Sequence, residues 1–143
     1  MVTEKQLRQV TKDFFRLFRN GVNGHQPEWS ELWNFKGTIP NHDKRGCYAL
    51  FVNEEIIYIG SGLGKSFGKY HGSGLGDRLK RYWKLNKNGA INREYKPSVD
   101  WNELTGIMTI GFDDETFPIA ASLEIYLIQK LKPQRNSTHT NRQ

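Results

Sequence analysis

The stretch Gly46-Cys47-Tyr48-Ala49-Leu50-Phe51-Val52-Asn53-Glu54-Glu55-Ile56-Ile57-Tyr58-Ile59-Gly60 decides the fold. Two apolar, β-rich runs, 47–52 and 56–59, flank the polar Asn53-Glu54-Glu55, which predicts a hairpin. Working outward, residues 106–112 are a third strand candidate. An amphipathic helix is expected over 3–19, with Leu7, Val10, Phe14, Leu17 and Phe18 on one face. A second is expected over 77–85, with Leu75, Leu79, Tyr82 and Trp83 as its apolar stripe. The last should run from Phe117-Pro118 to Leu131, with Thr116 as N-cap and Lys132-Pro133 as its stop. The expected class is α/β in its α+β form: a small, three-stranded, mostly antiparallel sheet flanked by helices.

The remaining segments read as irregular. Residues 20–45 are rich in Gly, Asn and Pro, with Trp29, Leu32, Trp33 and Phe35 as anchors and a short helix expected over 27–33. Glycines at 60, 62, 64, 68, 72, 74 and 76 argue against regular structure over 60–76, since each loses much backbone entropy on ordering. The expected organisation is an N-terminal helix and extension over 1–45 packed on the core, a main domain over 46–136, and a disordered tail over 137–143. With 143 residues there is room for one core, and an aromatic fraction of 13% supplies buried area that the 36% hydrophobic fraction alone would not. The lone Cys47 excludes a disulfide framework and a cysteine-rich zinc site, and fits a reducing, cytoplasmic compartment. No apolar run reaches membrane-spanning length, so no membrane role is expected.

The net charge of +6 is unevenly placed. Residues 61–96 carry nine basic side chains against Asp77 and Glu94, interleaved with Tyr70, Tyr82, Trp83 and Tyr95, whereas the six charged residues of 97–128 are all acidic. Cations for phosphates and aromatics for bases make a nucleic-acid surface. The plainer reading is a solvated cationic face.

Glu124 is the only charged residue between Glu115 and Lys130, and its i±3 and i±4 neighbours are Ala120, Ala121, Leu127 and Ile128. A carboxylate there needs a compensating cation, either a buried arginine partner or a metal ion. Arg78 and Tyr82 lie one helical turn apart, and Asp77 is spaced to pair with Arg81. Tyr48 and Tyr58, taken singly, read as core residues. The run Gly60-Ser61-Gly62-Leu63-Gly64-Lys65-Ser66 nearly spells a phosphate-binding loop, but leaves three residues between its glycines where that loop needs four. A bound nucleotide is therefore not expected.

Gly46-Cys47-Tyr48, nine residues, then Tyr58-Ile59-Gly60 resembles the paired motif of the GIY-YIG nucleases. The resemblance continues through Arg78-Leu79 with Tyr82, then Ala121-Ser122-Leu123-Glu124, Leu127-Ile128, Lys132-Pro133 and Asn136. It covers residues 46–136 and leaves 1–45 outside. Cys47 stands where the family has an aliphatic residue that packs inward. The gap between the tyrosines is short, which implies a tight turn. The glycine-rich loop is lengthened as in the restriction-enzyme members, whose loop residues reach the active site.

What the resemblance implies is a DNA endonuclease with one divalent metal ion, Mg²⁺ or Mn²⁺, held by Glu124 as sole protein ligand. Tyr48, Tyr58, Arg78, Tyr82, Glu124 and Asn136 would form the catalytic set. Arg78 would neutralise charge on the scissile phosphate, and one of Tyr48 and Tyr58 would take the proton from water. Tyr82 would contact phosphate or relay a proton, and Asn136 would tie the end of the chain to the site. Lys65, Lys69, His71, Lys80, Arg81 and Lys84 are the expected DNA-binding residues. A single centre cuts one strand, so double-strand cleavage would require a homodimer or sequential nicking. The alternative is a catalytically inactive DNA-binding module on the same fold.

Overall fold

The computed structural model describes residues 1–18, 26–64, 74–85 and 94–136. Its central element is β1 (Arg45–Val52), which pairs antiparallel with β2 (Glu55–Gly62) on one side and β5 (Gly106–Phe112) on the other. The β1–β2 connection is a two-residue turn at Asn53-Glu54, with Asn53 in the left-handed conformation that such turns favour. Both faces of β1 are covered, so residues 46–51 are all buried. Cys47, Ala49 and Phe51 face Leu7, Phe14 and Phe15 of α1 (Glu4–Leu17) and Ala120, Leu123 and Leu127 of α3 (Phe117–Leu131). Tyr48 and Leu50 face the opposite side, against Leu75 and Leu79 of α2 (Gly74–Leu79). The α+β class, the hairpin, the third strand and the last helix are as expected.

Four expectations need correction. The buried face of α1 is Leu7, Thr11, Phe14 and Phe15, while Leu17 and Phe18 are exposed. The helix is turned so that Thr11 Oγ1 can accept the Trp29 indole N–H at 2.8 Å while donating to Leu7 O. Residues 27–33 are not helical: Trp29 and Trp33 make antiparallel bridges to Ile110 and Ile107. This segment supplies hydrogen bonds that the free edge of β5 would otherwise lack. The helix expected over 77–85 is α2, then a 3₁₀ turn at Lys80–Tyr82, then β3 (Trp83–Leu85), which pairs with β4 (Tyr95–Pro97) in a separate two-stranded sheet. Finally, the ends of the glycine run are regular. Ser61 and Gly62 belong to β2, and Gly74 and Gly76 to α2. A Cβ on Gly62 would lie 2.6 Å from Gly74 O, so these glycines let strand and helix touch.

At the N-terminal end of α3, Thr116 occupies the cap position but its side chain caps nothing; at the C-terminal end the cap is Lys132. Lys132 adopts the left-handed conformation and its N–H closes on Ile128 O, turning the chain back toward β2. No described helix is long and apolar enough to cross a membrane. The tail over 137–143 lies outside the described residues.

Gly46 tests the sheet directly, because a Cβ there would overlap the Ile110 carbonyl oxygen. Gly46→Ala is expected to cost about 2 kcal/mol or more in denaturant melts. Unchanged stability would mean that β1 and β5 are not paired in this register.

Candidate active site

The site is assembled around β2, the strand at one edge of the described sheet. Its register against β1 shifts between Leu50 and Phe51, so that Tyr58 pairs with Leu50 and Ile56 with Phe51. Ile57 is the extra residue of this bulge. Tyr58 consequently joins Tyr48 and Leu50 on the α2 side, with ring centroids of the two tyrosines 6.2 Å apart. Gly60, opposite Tyr48, has no alternative: a Cβ there would lie 2.5 Å from the Tyr48 hydroxyl.

Tyr48 is fully buried, and its hydroxyl shares a 2.7 Å hydrogen bond with that of Tyr82. Burial pushes the Tyr48 phenol far above its usual range, as do the charge and hydrogen bond of Tyr82, while Arg78 pulls it down. Burial likewise raises Tyr82. Arg78 is exposed on α2 and interacts with the Tyr48 hydroxyl. Partial desolvation opposes its charge, but the tyrosines outweigh this and hold the guanidinium more firmly protonated than usual.

Glu124 approaches from the other face. Its Oε1 accepts a 2.9 Å hydrogen bond from Ser61 Oγ, and Ser61 pairs with Cys47 on the α3 side of the sheet. Burial raises the Glu124 carboxyl, with Ser61 and Arg78 acting in the opposite direction. The Arg78–Glu124 interaction thus spans the sheet, from α2 on one face to α3 on the other. Cys47 packs inward as expected, with its Sγ on Ala120 O at 3.1 Å. Burial and the Glu124 charge keep its thiol protonated, well above the ordinary range.

Asn136 ends the chain's return from α3. Its side-chain amide accepts from Ile59 N at 2.7 Å and donates to Ile59 O at 2.8 Å, as a neighbouring strand would. The residue fixes β2 between Tyr58 and Gly60 and is a positioning residue, since its amide is already engaged. A cleft of about 500 Å³ opens beside Arg78, lined by Ser61, Gly62, Gly64, Gly74, Asp77 and Arg81 among others. The tyrosines do not line it; they form its buried flank through Arg78.

Of the expected DNA-binding residues, Lys80, Arg81 and Lys84 are exposed, while Lys65, Lys69 and His71 lie outside the described residues. Asp77 pairs with Lys80 at 3.8 Å and not with Arg81, because the 3₁₀ turn ends the i,i+4 spacing. Two N–H groups at the start of α2, on Leu75 and Gly76, donate to the carbonyls of Lys44 and His42. They are therefore not offered to a phosphate, as a nucleotide-binding loop would require.

Two residues escaped the sequence reading. Ser61 carried a signal, directly after Tyr58-Ile59-Gly60. Trp101 carried none: its ring meets Tyr82 at 5.0 Å and Tyr58 at 5.8 Å, under the Arg135 guanidinium at 3.9 Å.

A carboxyl raised by burial binds its proton more tightly folded than unfolded. Stability is then highest below the ordinary carboxylate value and falls as pH rises through the folded one. Glu124→Gln removes the charge and keeps an acceptor for Ser61. Without metal it should melt above the parent at pH 7, and the gap should close in acid below the ordinary carboxylate range. A variant that melts lower at every pH would make the carboxylate a structural partner. Asn136→Ala, by contrast, should lose about 1–3 kcal/mol, since it strips both partners from Ile59.

Comparison with known proteins finds no matching family model, no matching curated protein and no matching solved structure.

Proposed function

We propose that this protein is a divalent-metal-dependent DNA endonuclease that hydrolyses phosphodiester bonds, as its resemblance to the GIY-YIG nucleases implies. The observation that supports this best is the gathering of the motif residues around one strand. Tyr48 packs on Tyr58 with ring centroids 6.2 Å apart and bonds the Tyr82 hydroxyl at 2.7 Å, while Glu124 bonds Ser61, which lines the cleft beside Arg78.

The donor set fits the expected ion. Glu124 accepts only from Ser61 among the described residues, which leaves one carboxylate oxygen for a cation. No group of three or more His, Cys, Asp or Glu is present among the described residues. One carboxylate with waters and phosphate oxygens suits Mg²⁺ or Mn²⁺, whereas a structural zinc needs four protein ligands. When bound, such an ion supplies Lewis-acid charge to a phosphoryl oxygen and acidifies water.

The chain's own residues do the rest. Arg78 offers a planar fork for two parallel hydrogen bonds to a phosphate, where charge develops during displacement. Tyr48 and Tyr82 share one hydrogen bond in which either hydroxyl can donate. Tyr48 rests as the neutral phenol, so to serve as base it first releases its own proton to solvent; the phenolate, accepting from the Tyr82 hydroxyl, then takes the proton of the attacking water. Arg78 stabilises that phenolate. Tyr58, half-buried at the side of Tyr48, contacts substrate, and Asn136 keeps β2 in place beneath it.

Purified protein incubated with supercoiled plasmid and Mg²⁺ or Mn²⁺ should yield nicked or linear product. Glu124→Ala should abolish this while leaving DNA binding intact or tighter, because a negative charge near phosphate is removed. Arg78→Lys should fall on the order of 10²-fold, close to Arg78→Ala, since an ammonium cannot reproduce the fork. DNA binding without cleavage in either metal would favour the non-catalytic module. Near-normal cleavage by Glu124→Ala would remove Glu124 as the ligand.

A further inference from the structure

The two-stranded sheet carries an arrangement that the site does not use. Across β3 and β4 the paired residues are Trp83 with Pro97, Lys84 with Lys96, and Leu85 with Tyr95. Residues directly opposite in an antiparallel pair share a face, so Lys84 and Lys96 project side by side. Like charges so placed destabilise the pair. Both lysines are exposed, and no acidic side chain among the described residues comes within ion-pair distance of either, Glu94 two residues before Lys96 included.

The other face of the ribbon is closed. Trp83 and Tyr95 pack on Trp33, with ring centroids 5.1 and 5.8 Å away. Trp83 and Tyr95, which alternate with cations in the sequence, are therefore turned toward Trp33 and away from the Lys84–Lys96 face. What the ribbon presents is charge alone, which suits a phosphate backbone better than splayed single-stranded bases. Its base is tied to the site: β3 follows Tyr82 directly, Ser98 N donates to Tyr82 O at 3.0 Å, and Ser98 Oγ donates to Arg81 O at 2.9 Å.

We propose that the Lys84–Lys96 face of the β3–β4 ribbon is a contact surface for the phosphate backbone of duplex DNA approaching the Arg78 cleft. This rests on the nuclease reading and names its substrate as the duplex. The unrelieved cationic pair is kept because an anionic partner relieves it on binding.

Binding should be measured in the Glu124→Gln background, with a duplex oligonucleotide and its single strand, over a range of salt concentrations. Lys84→Ala with Lys96→Ala should weaken duplex binding and flatten its log–log salt slope by about 1.8, two phosphate contacts' worth. Lys96→Glu gives Lys84 an oppositely charged neighbour, so it should raise the melting temperature or leave it unchanged while weakening duplex binding. Unaltered duplex affinity and slope in both variants would overturn the inference, as would a loss confined to the single strand. If the parent nicks plasmid and the ribbon variants bind as it does, the ribbon fails and the nuclease reading stands. A parent that neither binds nor cuts DNA overturns both.

Discussion

Everything at the candidate site depends on one irregularity, the register shift between Leu50 and Phe51. Side chains on a strand alternate, so an uninterrupted β2 would set Ile56 and Tyr58 on the same face. Ile56 packs in the cluster with α1 and α3, and a regular strand would send Tyr58 there too. The extra residue lets Ile56 keep that face while Ile57 and Tyr58 both join the α2 side. Tyr58 thereby meets Tyr48, and Ser61, three residues further on, returns to the α3 side to meet Glu124. Alternation alone separates the two hydroxyls; the bulge decides which face each takes, Tyr58 the α2 side and Ser61 the α3 side.

The polar groups buried around that strand fall into two energetic kinds. Thr11 with Trp29 and Asn136 with the Ile59 backbone are satisfied neutral pairs that hold segments together. Such pairs fix geometry at little net cost. Tyr48 and Tyr82 belong with them, as neutral phenols bonded to each other. Glu124 is different, because burial works against its carboxylate, with Ser61 and Arg78 acting in the opposite direction. An apolar group there would avoid that cost, which marks Glu124 as a functional-site candidate.

The regular core was legible because its signals are local. Alternation marks β1 and β2, the Asn53 turn marks their connection, and Pro118 with Lys132-Pro133 brackets α3. Three other features depended on tertiary demand. Residues 27–33 have a helix-like apolar spacing but pair with β5, whose edge needed hydrogen bonds. The stripe through Tyr82 and Trp83 broke at a 3₁₀ turn, because Trp83 is drawn to Trp33. Trp101 reached the tyrosines from a short turn with no periodicity of its own. Of the site, Tyr48, Tyr58, Arg78, Tyr82 and Glu124 were named by their resemblance to a motif, and they lie on β1, β2, α2, the 3₁₀ turn and α3. Tyr82, Trp83 and Tyr95 pack against the core, which the composition did not show because it does not say which face a side chain takes.

The N-terminal segment, which the motif leaves out, proves integral to the site's geometry. Its residues 29–33 close the β5 edge, which leaves the site to the β2 edge of the sheet, where Ser61 meets Glu124 beyond the bonds that Val2 makes to Ile56 and Asn136 to Ile59. Its end then reaches the opposite side: the carbonyls of His42 and Lys44 take the N–H groups of Gly76 and Leu75. A six-residue helix is too short to hold its own orientation in water. The α2 helix is held by these two bonds, by the glycine contact with Gly62, and by Leu75 and Leu79 in the core. Arg78 rides on that helix. The extension therefore acts on the site without touching it, by fixing the angle from which the guanidinium approaches Tyr48.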